Sequence, residues 1–212
     1  MGGISGFLTT FPPFIYFFWS LLERLPVKLP LPIDKLISRV SYPRTGRQLQ
    51  RYDKRGFRLV VGCIPYRYRK TEEATSIDEV IEVLVINAQN GQGMLFPKGG
   101  WEKDETMEAA AIRETREEAG VIGNIECKLG KWLYKSKRQS KFHEGHMFPL
   151  LVEQELDRWP EENIRNRKWV TVSEAREQCP HLWMREALEE LVRRHMQQQQ
   201  RHQGQVNKTA CN

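Results

Sequence analysis

From about Tyr52 onward the chain alternates between two hydrophobic periods. "FRLVVGCIPYRYR" (57–69) and "DEVIEVLVINAQ" (78–89) are dense in β-branched and aromatic residues and predict strands, with "KTEEATSI" as the loop between them. "GQGMLFPKGGW" (91–101) is a glycine-punctuated strand end that runs into a loop. Helical spacing follows. Asp104 is a good N-cap, Glu105 and Glu108 suit a first turn, and Gly120 suits the position just past a helix end. Next come the strand-like segments "IECKLGKWLYKSK" (125–137), "FHEGHMFPLLVEQEL" (142–156) and "RKWVTV" (167–172). The chain turns helical again, briefly in "SEAREQ" (173–178) and at length in the amphipathic "LWMREALEELVRRHM" (182–196). Strands interleaved with two substantial helices predict an α/β or α+β sandwich around a mixed sheet.

One stretch does not fit a plain amphipathic pattern. "RETREEAG" (113–120) sets Glu114, Glu117 and Glu118 at i, i+3 and i+4, where like charges disfavour a helix by a few tenths of a kcal/mol per pair. With Met107 at zero and about 100° per residue, Ala110 falls at about −60°, Ala111 at about +40°, Glu114 at about −20° and Glu118 at about +20°. Two carboxylates therefore continue the apolar stripe toward the body of the protein, and Glu117 flanks them at about −80°. Arg113 can meet Glu117 at i+4 but cannot neutralise all three. Two readings follow from spacing alone. Either the segment is a solvated, ion-paired face, or it holds a divalent cation, with oxygen-only ligands suited to Mg²⁺ or Mn²⁺.

The ends of the chain differ in composition from its middle. "GFLTTFPPFIYFFWSLL" is aromatic and apolar, but Pro12-Pro13 leaves only Phe14 to Leu22 as a clean run, short of the ~18 residues that span a bilayer. No Lys or Arg precedes it, so it lacks the n-region expected of a secretory signal, and it is not the Arg- and Ser-rich type of transit peptide. It is read as a poorly ordered leader, or as a peripheral membrane contact or organelle leader, and "LPVKLPLP" as a proline-stiffened linker. Residues 1–42 are thus set apart from a domain over 43–196, and 197–212 is expected to be a polar disordered tail. Within 212 residues, a net charge of +6 favours an anionic partner: nucleic acid, a membrane surface or a phosphorylated small molecule. Four scattered cysteines without metal-like spacing fit reduced thiols in an intracellular protein, cytoplasmic or nuclear unless the leader directs it to an organelle.

"GGWEKDETMEAAAIRETREEAGV" resembles the Nudix box, G-x5-E-x7-R-E-U-x-E-E-x-G-U with U apolar. The matches are Gly99, Glu105, Arg113, Glu114, Glu117, Glu118, Gly120 and Val121, so the box runs over 99–121; Thr115 stands where the pattern has an aliphatic residue, which predicts a small packing change. "RTGRQLQRYD", "VVGCIPYR", "LFPKGGWE", "LGKWLYKSKR" and "WMREALEELV" extend the resemblance, over about Pro43 to His195, to plant Nudix hydrolases of the diphosphoinositol polyphosphate phosphohydrolase type. That resemblance implies an α/β/α sandwich, a Mg²⁺ or Mn²⁺ ion, and hydrolysis of a phosphoanhydride. The substrate classes it implies are a nucleoside diphosphate derivative, a dinucleoside polyphosphate or a diphosphoinositol polyphosphate. By position, Glu114, Glu117 and Glu118 become metal ligands or hold the attacking water, with Glu117 and Glu118 as candidate bases. A backbone carbonyl at the Lys98–Gly99 turn would complete the metal shell, and Glu105 and Arg113 would orient the helix face.

A polyphosphate calls for cations, and the candidates are Arg58, Lys98, Lys135, Lys137, Arg138, Lys141, Arg165, Arg167 and Arg185. They concentrate in two expected rims, "KSKRQSK" (135–141) and "RNRK" (165–168). His143 and His146 are read as structural or as substrate contacts, and Trp132, Trp169 and Trp183 as core. Two rival functions remain in view. An RNA-cap pyrophosphatase would exploit the basic charge but needs an RNA-gripping extension that neither terminus supplies, so no nucleic-acid partner is expected. A non-catalytic ligand-binding module would be expected to lose box carboxylates, and all are present.

Overall fold

The computed structural model describes residues 49–69, 76–89, 93–136 and 141–209. The expected leader and linker (1–42), and Lys137 and Arg138, lie outside these residues. The elements are β1 (Arg58–Tyr68), α1 (Ile77–Val80), β2 (Ile81–Asn87), β3 (Met94–Leu95), β4 (Lys98–Gly100) and α2 (Met107–Ala119). They continue with β5 (Val121–Ile125), β6 (Gly130–Lys135), β7 (Phe142–Glu155), β8 (Arg167–Thr171), α3 (Val172–Gln178) and α4 (Leu182–Thr209).

One mixed sheet organises them in the order β3-β2-β1-β7-β5, with β4 beside β1, β6 beside β7 and β8 beside β2. β1 and β7 run parallel at its centre, from Arg58 opposite His143 to Tyr66 opposite Leu151, and the other pairings are antiparallel. Helices cover both faces. Cys63 donates its thiol toward Ala111 of α2 at 3.6 Å, whereas Tyr66 packs edge-on against His195 of α4 at 4.8 Å. Val60 to Tyr66 is therefore buried without a break, which explains why β1 reads as a continuous apolar run rather than an alternating one. Each large aliphatic or aromatic side chain sealed there, such as Ile64, Phe96, Phe148 or Leu188, contributes about 1.5–3 kcal/mol of burial. Among the described residues no helix is long and apolar enough to cross a membrane.

Three boundaries depart from the sequence reading. The stretch expected to be strand from Asp78 opens with a helical turn, and β2 begins only at Ile81, because Asp and Glu favour a pleated strand poorly. β5 starts at Val121, directly after the helix, and a turn at 126–129 separates it from β6. The tail expected to be disordered from 197 is helical to Thr209, since Gln and Arg are good helix formers and extending a helix is far easier than nucleating one.

Candidate active site

Helix α2 is delivered by the β4 loop and fixed at both ends. Thr106, not the expected Asp104, is the N-cap: its extended backbone lets the hydroxyl accept from the Ala109 N–H at 3.1 Å. Gly120 ends the helix in the left-handed region (φ 63°), where other residues carry a Cβ penalty, and donates to Arg116 O at 3.1 Å. Thr115 is fully buried, and its hydroxyl donates to Ala111 O at 2.7 Å. The polar atom is thereby satisfied inside its own helix.

Glu117 and Glu118 are buried, Glu105 and Glu114 are partly so, and arginines divide them. Arg113 makes a two-pronged contact with Glu105, Nε to Oε2 at 3.0 Å and Nη2 to Oε1 at 2.7 Å, and also donates to Gly100 O. Its Nη1 reaches Glu114 at 2.8 Å and, more distantly, Glu117 at 3.4 Å. Burial opposes the Arg113 charge, but hydrogen bonds to Glu105 and the field of Glu114 raise its pKa further. Glu105 also accepts from the Glu102 N–H, so the pair ties the loop to the helix. Glu118 accepts from the Lys98 N–H at 2.7 Å through one oxygen and from Arg165 through the other. For Glu114, burial is the dominant influence and pushes the carboxyl up to about 7; Arg113 lowers it, while Glu118 and Glu117 raise it.

Of these carboxylates, Glu114 and Glu118 border a cavity of about 400 Å³. Glu114, Glu118 and Gly99 line it together with the cations Arg58, Lys98, Lys135 and Arg165. A Cβ at position 99 would overlap the Glu114 carboxylate, so only glycine lets the turn and the acid meet. Glu117, Glu105 and Arg113 do not line the cavity and stand behind it. The donor chemistry suits a hard divalent cation, being carboxylate oxygen throughout. Among the described residues, however, no three acidic, imidazole or thiol groups converge as a closed metal site. Arg113 and Arg165 hold the carboxylates on separate partners.

The expected "RNRK" rim is divided between the cavity and the end of α2. Arg167 donates to Ala119 O, Gly120 O and Leu156 O at 2.9–3.1 Å and stacks over Trp159. It caps the carbonyl end of α2 and does not line the cavity. The Glu161 N–H adds a bond to Glu117 O at 3.1 Å, so the whole 156–167 segment clamps the helix terminus. Of this rim only Arg165 reaches the cavity. Lys141 and Arg185 do not line it either.

Gln50 and His181 line the cavity although nothing in the sequence singled them out. Gln50 accepts from Arg58 Nε, and a Cβ on Gly100 would strike both side chains. The segment carrying Gln50 is pinned to the box loop through Arg51 N–Trp101 O (2.8 Å) and Lys103 N–Leu49 O (2.9 Å). His181, at the end of a loop entering α4, also lines the cavity. His143 lines it and meets Tyr134 edge-on at 5.5 Å, whereas His146 lies on the opposite face, 3.1 Å from Glu144. Burial pulls the His146 pKa down, with Lys128 acting in the same direction. Tyr134 is stacked on Trp183 at 4.5 Å and 9°, so one ring face is already covered. Its burial raises the phenol pKa to about 12, keeping it a neutral donor. Trp183 is core, as expected; Trp132 and Trp169 are half-buried, and Arg67 lies over the Trp169 ring.

A family model described as NUDIX domain matches residues 57–194. Nudix hydrolase 4 of Arabidopsis thaliana is 59% identical over 174 residues, 81% of this chain and 83% of the relative. Diphosphoinositol polyphosphate phosphohydrolase 2 of Mus musculus is 32% identical over 130 residues, 60% of this chain and 66% of the relative. Among solved structures, the NUDIX domain of Shewanella oneidensis NrtR complexed with ADP ribose superposes with a TM-score of 0.52 at 17% identity, over 68% of this chain and 93% of that one.

Proposed function

Because this chain belongs to the NUDIX family and is a hydrolase of phosphorus-containing anhydrides, we propose that it is a Mg²⁺- or Mn²⁺-dependent pyrophosphohydrolase of highly phosphorylated small molecules. A diphosphoinositol polyphosphate or a dinucleoside polyphosphate fits the site better than a nucleotide sugar. The observation that carries this reading is the pairing, in one cavity, of Glu114 and Glu118 with Arg58, Lys98, Lys135 and Arg165. The likeness over part of the chain to the mouse phosphohydrolase supports the inositol class.

The roles follow from placement. Glu114 and Glu118, which line the cavity, would hold the ion, Glu117 would support them through its contact with Arg113, and Gly99 leaves room for the turn against Glu114. When bound, the ion supplies a water of lowered pKa and neutralises charge on the bridging oxygens. Arg58, oriented by Gln50, and Lys98 and Lys135 line the same cavity and would bind phosphate oxygens. Glu105 and Arg113 are positioning residues, because their contacts are with the loop and with the other carboxylates. Tyr134 bounds the substrate space as a hydrogen-bond donor. With one face occupied by Trp183, its ring is poorly placed to sandwich a base, which favours a substrate recognised by its phosphates.

The test is a substrate panel with purified protein: an inositol pyrophosphate, a diadenosine polyphosphate and a nucleotide sugar, each with Mg²⁺, with Mn²⁺ and with EDTA. Turnover should be highest on one of the first two and vanish with EDTA. Full activity in EDTA, or a clear preference for the nucleotide sugar, would refute the reading.

A further inference from the structure

We propose that Arg165 is an internal counter-ion: it holds Glu118 when no divalent cation is bound and gives up that carboxylate when the cation arrives. Metal affinity is then set in competition with an ion pair built into the fold. The inference rests on the metal-dependent reading above.

Arg165 is only 5% exposed, yet its guanidinium has three separate partners. Nη2 pairs with Glu118, Nε donates to Glu161 Oε2 at 3.0 Å, and Nη1 donates to Asn87 O at 2.9 Å. Arg113 is committed elsewhere, to Glu105, Glu114 and Glu117, so neutralising Glu118 falls to Arg165. Glu114 and Glu118 are thus held by two different arginines. A buried carboxylate without a counter-charge is costly, so the pair persists until another cation replaces it. Glu161 and the Asn87 carbonyl hold Arg165 independently of Glu118. When Glu118 is released, the guanidinium stays in the cavity wall with one edge turned to the space that an anionic substrate fills. Positive charge is thereby exchanged at Glu118 and gained at the substrate.

A ligand whose competent state is a fraction f of the population binds with its intrinsic Kd divided by f. Breaking the Arg165–Glu118 pair should therefore tighten metal binding, whereas a merely structural arginine would loosen it when removed. The experiment titrates Mn²⁺ into the full chain without substrate, by calorimetry and by the electron paramagnetic resonance signal of free Mn²⁺. Relative to the unmodified protein, Arg165→Gln should tighten Mn²⁺ binding by ~10-fold, the size expected if about one molecule in ten has Glu118 free. Arg165→Lys should fall in between. Lys135→Gln removes the same charge from the cavity without touching Glu118, and should change affinity less than ~3-fold, as expected for an exposed, screened charge.

Unchanged or weaker binding in Arg165→Gln, or an equal gain in Lys135→Gln, would overturn the proposal. If circular dichroism shows that Arg165→Gln does not fold, Glu161→Gln decides it. Removing the carboxylate that shares Arg165 leaves the guanidinium more fully on Glu118, so Mn²⁺ binding should weaken, and no change there would overturn the proposal too. A wild-type chain that binds no Mn²⁺ in any assay would bring down the metal-dependent reading itself, and this inference with it.

Discussion

Glu114 shows how burial and neighbouring charges compete at a single side chain. Burial, with Glu118 and Glu117 nearby, raises its carboxyl from the ordinary 4.5 to about 7 despite Arg113. An acid that holds its proton more tightly folded than unfolded stabilises the fold fully below the unfolded value, and that stability is lost as pH climbs to the folded one. The metal-free protein should therefore lose stability between about pH 4.5 and 7, by roughly 3 kcal/mol at most for a shift of this size. Glu114→Gln removes the titration. In EDTA, its melting temperature should match wild type near pH 4.5 and exceed it at pH 8. Mn²⁺ should close the gap by stabilising wild type, since a ligand that binds only the native state raises its stability. Parallel pH–stability curves for the two proteins would show that Glu114 is not the strained acid. The helical period alone pointed to this residue, because 100° per step carries the stripe of Met107, Ala110 and Ala111 straight into Glu114 and Glu118. Gln50 and His181 carried no such signal. They reach the cavity only through strand pairing and loop packing between segments far apart in sequence, and no local period encodes that.

At the scale of elements, helix α2 depends on its two ends, and they differ in how legible they were. Gly120 could be read as the stop because φ near 60° suits glycine. The start was misplaced by two residues, since Asp104 and Thr106 are both good caps and only the path of the β4 loop decides between them. "RNRK" divides for a related reason: Arg165 lines the cavity and Arg167 caps carbonyls, yet in sequence an arginine that will cap carbonyls looks the same as one that will grip phosphate. Arg167→Ala strips a donor from three carbonyls and should lower unfolding stability by about 1–3 kcal/mol, the cost of unsatisfied buried acceptors. Thr106→Ala should cost about 1 kcal/mol by loss of the N-cap. Denaturant titration reads both. Steady-state kinetics of Arg167→Ala should show KM within about twofold of wild type, because the side chain binds backbone and not substrate. A large rise in KM with stability intact would return Arg167 to the substrate site.

At the scale of the molecule, the excess of six positive charges has to be weighed against where the cations end up. Many arginines are spent on structure: Arg113 on the box, Arg167 on the helix end, Arg194 on Glu190 and the carbonyls of Cys127 to Leu129, Arg51 on the box loop. Net charge therefore overstates how much of the surface is free to attract an anion. Among the described residues the cations lining the cavity are Arg58, Lys98, Lys135 and Arg165, with Arg58 also bonded to Gln50 and Arg165 to Glu118. If these cations recognise the substrate, attraction should be screened over a Debye length of about 8–10 Å near physiological salt. Raising ionic strength should then lower kcat/KM steeply for an inositol pyrophosphate or a dinucleoside polyphosphate and only slightly for a nucleotide sugar. Lys135→Ala combined with Arg58→Ala should raise KM more than it lowers kcat, since these groups bind ground and transition states alike. It should also flatten the salt dependence, which separates loss of charge from loss of shape. The same salt slope for all three substrates, or a double variant that loses kcat with KM unchanged, would mean that the cavity selects by something other than phosphate charge.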